Sequence, residues 1–220
     1  TYVTKIISHI TQISRAFFMM QNQLVSGGRL KRFLTEQSAV PDCPSALVCS
    51  PRPHIQLKDV SFTLGEKQVL KHISLDVPYG RKVGLMGGTG SGKSALLKLL
   101  SRIFDATAGE VLIDGKDIRD YPFEQVRKEY SYVFQDVFLF SNTVDANVAF
   151  ARPDCTEDDV TRAAQIAQAD RFVEKLPDGY QTIIGERGMG LSGGQKQRIS
   201  IARALVKGSP VLILDDASSA

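Results

Sequence analysis

The sequence predicts an α/β domain built around a phosphate-binding loop, with one amphipathic helix ahead of it. Three observations carry that expectation. Gly87-Gly88-Thr89-Gly90-Ser91-Gly92-Lys93-Ser94 fits the pattern G-x-x-x-x-G-K-[ST] in full, between an apolar stretch and a helical one. Strand-like and helix-like segments alternate from Ile55 to Leu214, which suits a mainly parallel core. Before them, apolar residues from Thr4 to Leu34 recur at alternating steps of four and three.

The first element follows from that stripe. Ile6, Ile10, Ile13, Phe17, Met20 and Leu24 fall on one face of a helix. Gly27-Gly28 should loosen or end its first part, and Arg29, Lys31 and Arg32 follow. The helix either packs against a partner or extends a membrane helix on the basic, inner side. Four prolines between Ala39 and Pro53 mark an extended linker. Alternation then predicts strands at Ile55–Leu64 and Val69–Val77, joined by a turn around Gly65-Glu66-Lys67. Lys82-Val83-Gly84-Leu85-Met86 reads as a short apolar strand, and Leu96, Leu97, Leu99, Leu100 and Ile103 as a buried helix over Ser94–Ile103. Further strands are expected at Glu110–Ile113, Tyr130–Phe134 and Val211–Leu214, and helices at Glu157–Ala169 and Gly193–Val206.

Bulk properties exclude several classes. With 220 residues, 43% hydrophobic and 23% charged, the chain is long and apolar enough for a folded domain. A net charge of +3 without a run of Lys or Arg argues against a nucleic-acid partner. Cys43, Cys49 and Cys155 are odd in number and lack the paired short spacing of a zinc site, so reduced thiols are expected. His9, His54 and His72 are scattered. No window reaches 18 uninterrupted apolar residues, so no membrane span is expected. The chain starts inside a helical pattern and stops just past an apolar strand, and it reads as a segment of a longer polypeptide.

The chemistry needs each fixed position of the glycine loop. Glycines let main-chain N–H groups wrap a pyrophosphate where side chains would intrude. Lys93 supplies a cation between the β- and γ-phosphates, and Ser94 a hydroxyl for Mg²⁺. The helix that follows directs its positive end at the anion. The run Val211-Leu212-Ile213-Leu214 ends in Asp215-Asp216, at the strand end where ligands gather in open α/β sheets. In isolation the pair could be a turn; beside a phosphate loop, Asp215 is expected to hold Mg²⁺, directly or through water. Leu191-Ser192-Gly193-Gly194-Gln195-Lys196-Gln197-Arg198 opens a second helix with a hydroxyl and two glycines. It is either a plain helix cap or a second anion site that completes the nucleotide site of another subunit.

In this order and at these separations, GGTGSGKS, LSGGQKQR and VLILDD resemble the Walker A, signature and Walker B motifs of ABC ATPases. The resemblance covers about His54 to Ala220. Tyr132–Phe140 is similar to the family's Q-loop region. Gly185-Glu186-Arg187-Gly188 is similar to the segment through which exporters contact their membrane domains. The first 38 residues look like the cytosolic extension of the last transmembrane helix, 39–53 like its linker, and 54–220 like the nucleotide-binding domain.

The resemblance implies a P-loop NTPase (RecA-like) core with an antiparallel β subdomain and a helical signature subdomain. It also implies an ATPase at the cytoplasmic face of a cell membrane, coupled to transport. Its cofactors would be ATP and Mg²⁺. The backbone of Gly87, Gly88, Thr89, Gly90, Ser91, Gly92, Lys93 and Ser94 would bind phosphate. Ser94, Gln135 and Asp215 would meet Mg²⁺ or its waters. Ser192, Gly193, Gly194 and Gln195 would reach ATP held by the opposite subunit. The implied partners are a second exporter half, identical or not, and both halves' transmembrane domains. Motion would pass through the region from Gln135 to Asn147 and through the first helix.

Three positions depart from the family pattern. Asp216 stands where the catalytic glutamate is usual, Leu64 where an aromatic residue commonly stacks on adenine, and Ala95 where a second hydroxyl usually follows Lys-Ser. Asp216 could still position water, and Leu64 could still pack on the base. Together they point to a site that binds ATP and hydrolyses it slowly, inside a heterodimer. Two other functions stay open: a soluble ABC-type ATPase acting on nucleic acid or ribosomes, and an ATP-dependent dimerisation module without turnover.

Overall fold

The computed structural model describes residues 2–35, 40–45, 47–185 and 188–216. The chain divides into two units, Thr1–Pro41 and Asp42–Ala220. The first is a single helix, α1 (Tyr2–Thr35). It runs unbroken through Gly27 and Gly28, contrary to the expected loosening. Glycine costs a helix interior only about 1 kcal/mol relative to alanine, so neighbours with strong helix preference carry the helix across. Its apolar side chains, among them Ile6, Ile10, Phe17 and Leu24, are exposed. No described helix is long and apolar enough to cross a membrane.

The second unit holds the strands and the other α-helices: β1 (Ile55–Leu64), β2 (Lys67–Val77), α2 (Lys93–Leu100), β3 (Ala108–Ile113), β4 (Lys116–Asp117), α3 (Phe123–Glu129), β5 (Tyr130–Val133), α4 (Val144–Ala149), α5 (Glu157–Ile166), α6 (Asp170–Val173), α7 (Gly193–Val206) and β6 (Val211–Leu214). Four strands form an antiparallel sheet in the order β2-β1-β3-β4. Leu64 pairs with Lys67 across the Gly65-Glu66 turn, as the alternation predicts. Among the described residues parallel pairing is confined to β5 and β6, with Tyr130 opposite Val211 and Val133 opposite Leu214, so antiparallel pairing outweighs the mainly parallel core that the alternation suggested.

Two sequence expectations differ here. The stretch Lys82–Met86 joins no ladder among the described residues, and Val83 and Met86 are exposed. An apolar strand needs neighbours along its edges, and none of the described strands pairs with it. The helices expected to reach Ile103 and Ala169 stop at Leu100 and Ile166. Arg102 and Gln168 adopt left-handed backbone, with φ of +50° and +56°, and end them.

Apolar side chains gather in two cores. The first joins β1, β3 and α2 to Tyr130 and Ile213 through Leu57, Val60, Leu99, Val111 and Ile113. The second is helical and lies under α4, α5 and α7, with Val148, Val160, Ala163, Ile199 and Ala202 at its centre. The phosphate loop therefore enters a helix of the first core, and the LSGGQ segment opens a helix of the second.

Candidate functional site

The loop Gly87–Ser94 leads into α2, whose N-cap is Gly92 in left-handed backbone with φ +94°. No side chain caps this helix, so its first N–H groups are available to an anion. A Cβ at Gly92 would lie 2.8 Å from Leu70 Cδ2 and 3.1 Å from the Val69 carbonyl. The β1–β2 hairpin thus closes on the loop's end, and with its left-handed backbone the position favours glycine. Gly87, Gly88, Thr89, Gly90 and Ser91 are exposed, and Ala95 packs against the first core.

Lys93 folds back over the loop. Its Nζ donates to the carbonyl oxygens of Gly87 at 2.7 Å and Gly88 at 3.0 Å. Ser94 Oγ donates to Asp215 Oδ1 at 2.9 Å, a contact that spans 121 residues of sequence. Asp215 is buried, and its N–H donates to the Val133 carbonyl at 3.0 Å, which ties the end of β6 to the end of β5. Gln135 Nε2 lies 3.5 Å from Asp216 Oδ2, at the outer limit of a hydrogen bond. Asp216 itself takes φ +51°, a left-handed conformation that Asp tolerates better than most side chains.

The donor set is all oxygen and suits Mg²⁺. The Ser94 hydroxyl and the Asp215 carboxylate lie side by side as oxygen donors, here joined by a hydrogen bond. No cluster of three or more His, Cys, Asp or Glu capable of holding a metal occurs among the described residues. Such sparse protein ligation is normal for Mg²⁺, which keeps waters and takes phosphate oxygens.

Two neighbours escaped the sequence reading. Tyr132 donates its hydroxyl to Asp215 Oδ2 at 2.9 Å, so both carboxylate oxygens of Asp215 are held. Burial, then that hydrogen bond, pushes the Tyr132 phenol well above its usual range and keeps it a donor. Gln197 Nε2 reaches the Asp216 carbonyl at 3.4 Å and links α7 to the end of β6. A parallel pairing of β5 with β6 in register would have pointed to Tyr132, since the two strand ends then lie side by side.

The LSGGQ segment forms a capping box. Ser192 Oγ accepts from the Gln195 N–H at 3.3 Å, and Gln195 Oε1 accepts from the Ser192 N–H at 2.8 Å. Among the described residues no hydrogen bond joins Ser192, Gly193, Gly194 or Gln195 to the phosphate loop. Leu64, at the tip of the hairpin, is exposed. In the Gly185–Gly188 segment Glu186 and Arg187 lie outside the described residues, as do Ser218-Ser219-Ala220.

Comparison with known proteins identifies the family. The family model described as ABC transporter matches residues 70–219. The ATP-dependent lipid A-core flippase of Desulfotalea psychrophila (strain LSv54 / DSM 12343) is 41% identical over 212 residues, 96% of this chain and 37% of that protein. An uncharacterised ABC transporter ATP-binding protein of Bacillus subtilis (strain 168), YknU, is 44% identical over 205 residues, 92% of this chain and 35% of that protein. The structure of a bacterial Atm1-family ABC exporter with ATP bound superposes with a TM-score of 0.85 at 37% identity, over 91% of this chain and 35% of that one. The chain therefore spans little more than a third of the length of these relatives. It has the P-loop NTPase fold of the ABC ATPases, and it belongs to the ABC transporter family.

Proposed function

We propose that this chain is the ATP-driven motor segment of a membrane ABC exporter, working at the cytoplasmic face of a cell membrane. One observation carries the reading: the Ser94 hydroxyl and the Asp215 carboxylate meet at 2.9 Å beside a lysine folded over a glycine loop. The exporter-type relatives, a lipid A-core flippase and an Atm1-family exporter, support the transport role. Residues 1–38 extend the last transmembrane helix, 39–53 link it, and 54–220 form the ATPase. The membrane-spanning segments select the cargo.

Main-chain amides of Gly87–Ser94 and the Lys93 ammonium bind the triphosphate, and Leu64 packs on the base. Ser94, Asp215 and the Gln135 amide hold Mg²⁺, which neutralises phosphate charge when bound. Tyr132 fixes the Asp215 carboxylate. Asp216 acts as the base that orients the attacking water, with Gln135 beside it. Ser192, Gly193, Gly194 and Gln195 face the ATP of a second exporter half, so two nucleotides join a head-to-tail dimer.

The Asp216 side chain is one methylene shorter than glutamate, which supports slow turnover at this site and a heterodimer in which its LSGGQ serves a faster partner site. A base displaced by about 1 Å costs roughly a hundredfold in rate. The test is ATP hydrolysis by the full-length protein in lipid vesicles. Slow turnover that rises tenfold or more, roughly, in Asp216→Glu supports the slow site. Brisk turnover with no gain removes that part of the reading. ATP-dependent association without hydrolysis in either protein, with or without a partner half, would replace the motor with a dimerisation module.

A further inference from the structure

The segment that follows β5 is fastened from beneath by one residue of α7. Arg203 Nε donates to the Asn147 carbonyl at 2.8 Å, Nη1 to the Phe138 carbonyl at 2.9 Å, and Nη2 to Asn147 Oδ1 at 2.9 Å. Its guanidinium also lies 5.5 Å from the centre of the Phe140 ring and 5.8 Å from that of Phe150. Among the described residues it forms no ion pair with a carboxylate. Burial pulls it below the usual arginine range, as expected for a cation whose acceptors are carbonyls and ring faces.

Asn147 is the other half of the fastening. Fully buried, it donates Nδ2 to the carbonyls of Phe140 at 3.0 Å and Thr143 at 3.0 Å, with Asn142 further off at 3.4 Å. Its Oδ1 accepts from the Phe140 N–H at 2.9 Å as well as from Arg203. Two side chains thereby satisfy much of the irregular backbone between Phe138 and Asn147. The rings of Phe138 and Phe150 edge this fastening, both more than half exposed and packed on Phe140 at ring distances of 5.2 and 4.3 Å.

α7 begins at the Ser192 capping box and carries Arg203 near its other end. At 1.5 Å per residue the two lie about 16 Å apart along one continuous helix. We infer that Arg203 and Asn147 are positioning residues that make α7 and the Phe138–Phe150 segment move as one body. A displacement at the signature end then reaches the exposed aromatic face without a hinge. This inference rests on the motor reading above. Neither residue contacts the phosphate loop or the Ser94–Asp215 pair. Lysine at 203 keeps the charge and loses the planar fork that reaches three acceptors. Aspartate at 147 keeps the shape and turns a donor toward three carbonyls into an acceptor.

The test uses the full-length protein in lipid nanodiscs, with hydrogen exchange of peptides covering 134–150 measured with and without Mg·ATP. ATP affinity and thermal unfolding are measured on the same samples. Wild-type protein is expected to gain protection over 134–150 on binding ATP. Arg203→Lys and Asn147→Asp are expected to bind ATP as wild type does, with that ATP-dependent gain reduced about fivefold or more. A purely structural role would lower the unfolding temperature and leave the gain intact in the folded fraction; that result, in both variants, overturns the inference. Wild-type protein that binds ATP with no change over 134–150 would instead overturn the motor reading on which it rests.

Discussion

Lys93, Ser94 and Asp215 act through few contacts: the Lys93 ammonium holds two loop carbonyls, and the Asp215 carboxylate accepts from the Ser94 and Tyr132 hydroxyls. Gly92 is the least replaceable of their neighbours. Its φ of +94° strains any side chain, and the 2.8 Å and 3.1 Å approaches to Leu70 and Val69 force those neighbours to shift. Gly92→Ala should cost about 2–3 kcal/mol of stability and weaken nucleotide binding, read by denaturant unfolding and ATP titration. The residues with fixed chemistry were legible in the sequence because a motif orders them: Lys93 and Ser94 in the loop, and Asp215 at an apolar strand end. Tyr132 and Gln197 were not, because their contacts with Asp215 and Asp216 arise from strand register and helix packing across long separations.

Among the elements, the β1–β3 pairing depends on one backbone approach. A Cβ at Gly109 would fall 2.4 Å from the Asp59 carbonyl oxygen, and its φ is +82°. Gly109→Ala should therefore destabilise the antiparallel sheet by about 3 kcal/mol or more, measured by thermal unfolding, with the loss larger than for Gly92→Ala. The capping box of α7 is a milder case. Ser192→Ala removes its side-chain acceptor and should cost about 1 kcal/mol, a fall in unfolding temperature that checks directly. Local patterns foretold β1, β2, β3, β5 and β6 to within about two residues, β1 from its alternation and β6 from its apolar run, and missed the two-residue β4. They overstated Lys82–Met86, because an apolar run reports burial preference and says nothing of which strand will pair with it. They also missed the left-handed residues Arg102 and Gln168, whose types do not advertise that conformation.

Across the whole molecule, buried ionisable groups set how stability responds to pH. Glu129, at the end of α3, has a carboxyl oxygen buried without a hydrogen-bond partner. Burial, reinforced by Asp114, raises its pKa above the ordinary 4.5. The folded state then holds a proton that the unfolded state releases, so this stabilisation is complete below about pH 4.5 and is lost as pH rises through the raised value. Glu129→Gln should flatten the pH dependence of unfolding over that window; an unchanged slope would remove Glu129 as its source. The phosphate loop opens a helix of the first core and the LSGGQ segment a helix of the second; in the function proposed above, a second copy or a partner half completes the site. All of this depends on the loop and its ammonium holding a triphosphate. The most direct measurement is the affinity of the full-length protein for Mg·ATP before and after Lys93→Ala. Loss of one charged hydrogen-bonding group should weaken binding roughly ten- to a hundredfold with the fold intact, and an affinity unchanged by the substitution would contradict the account.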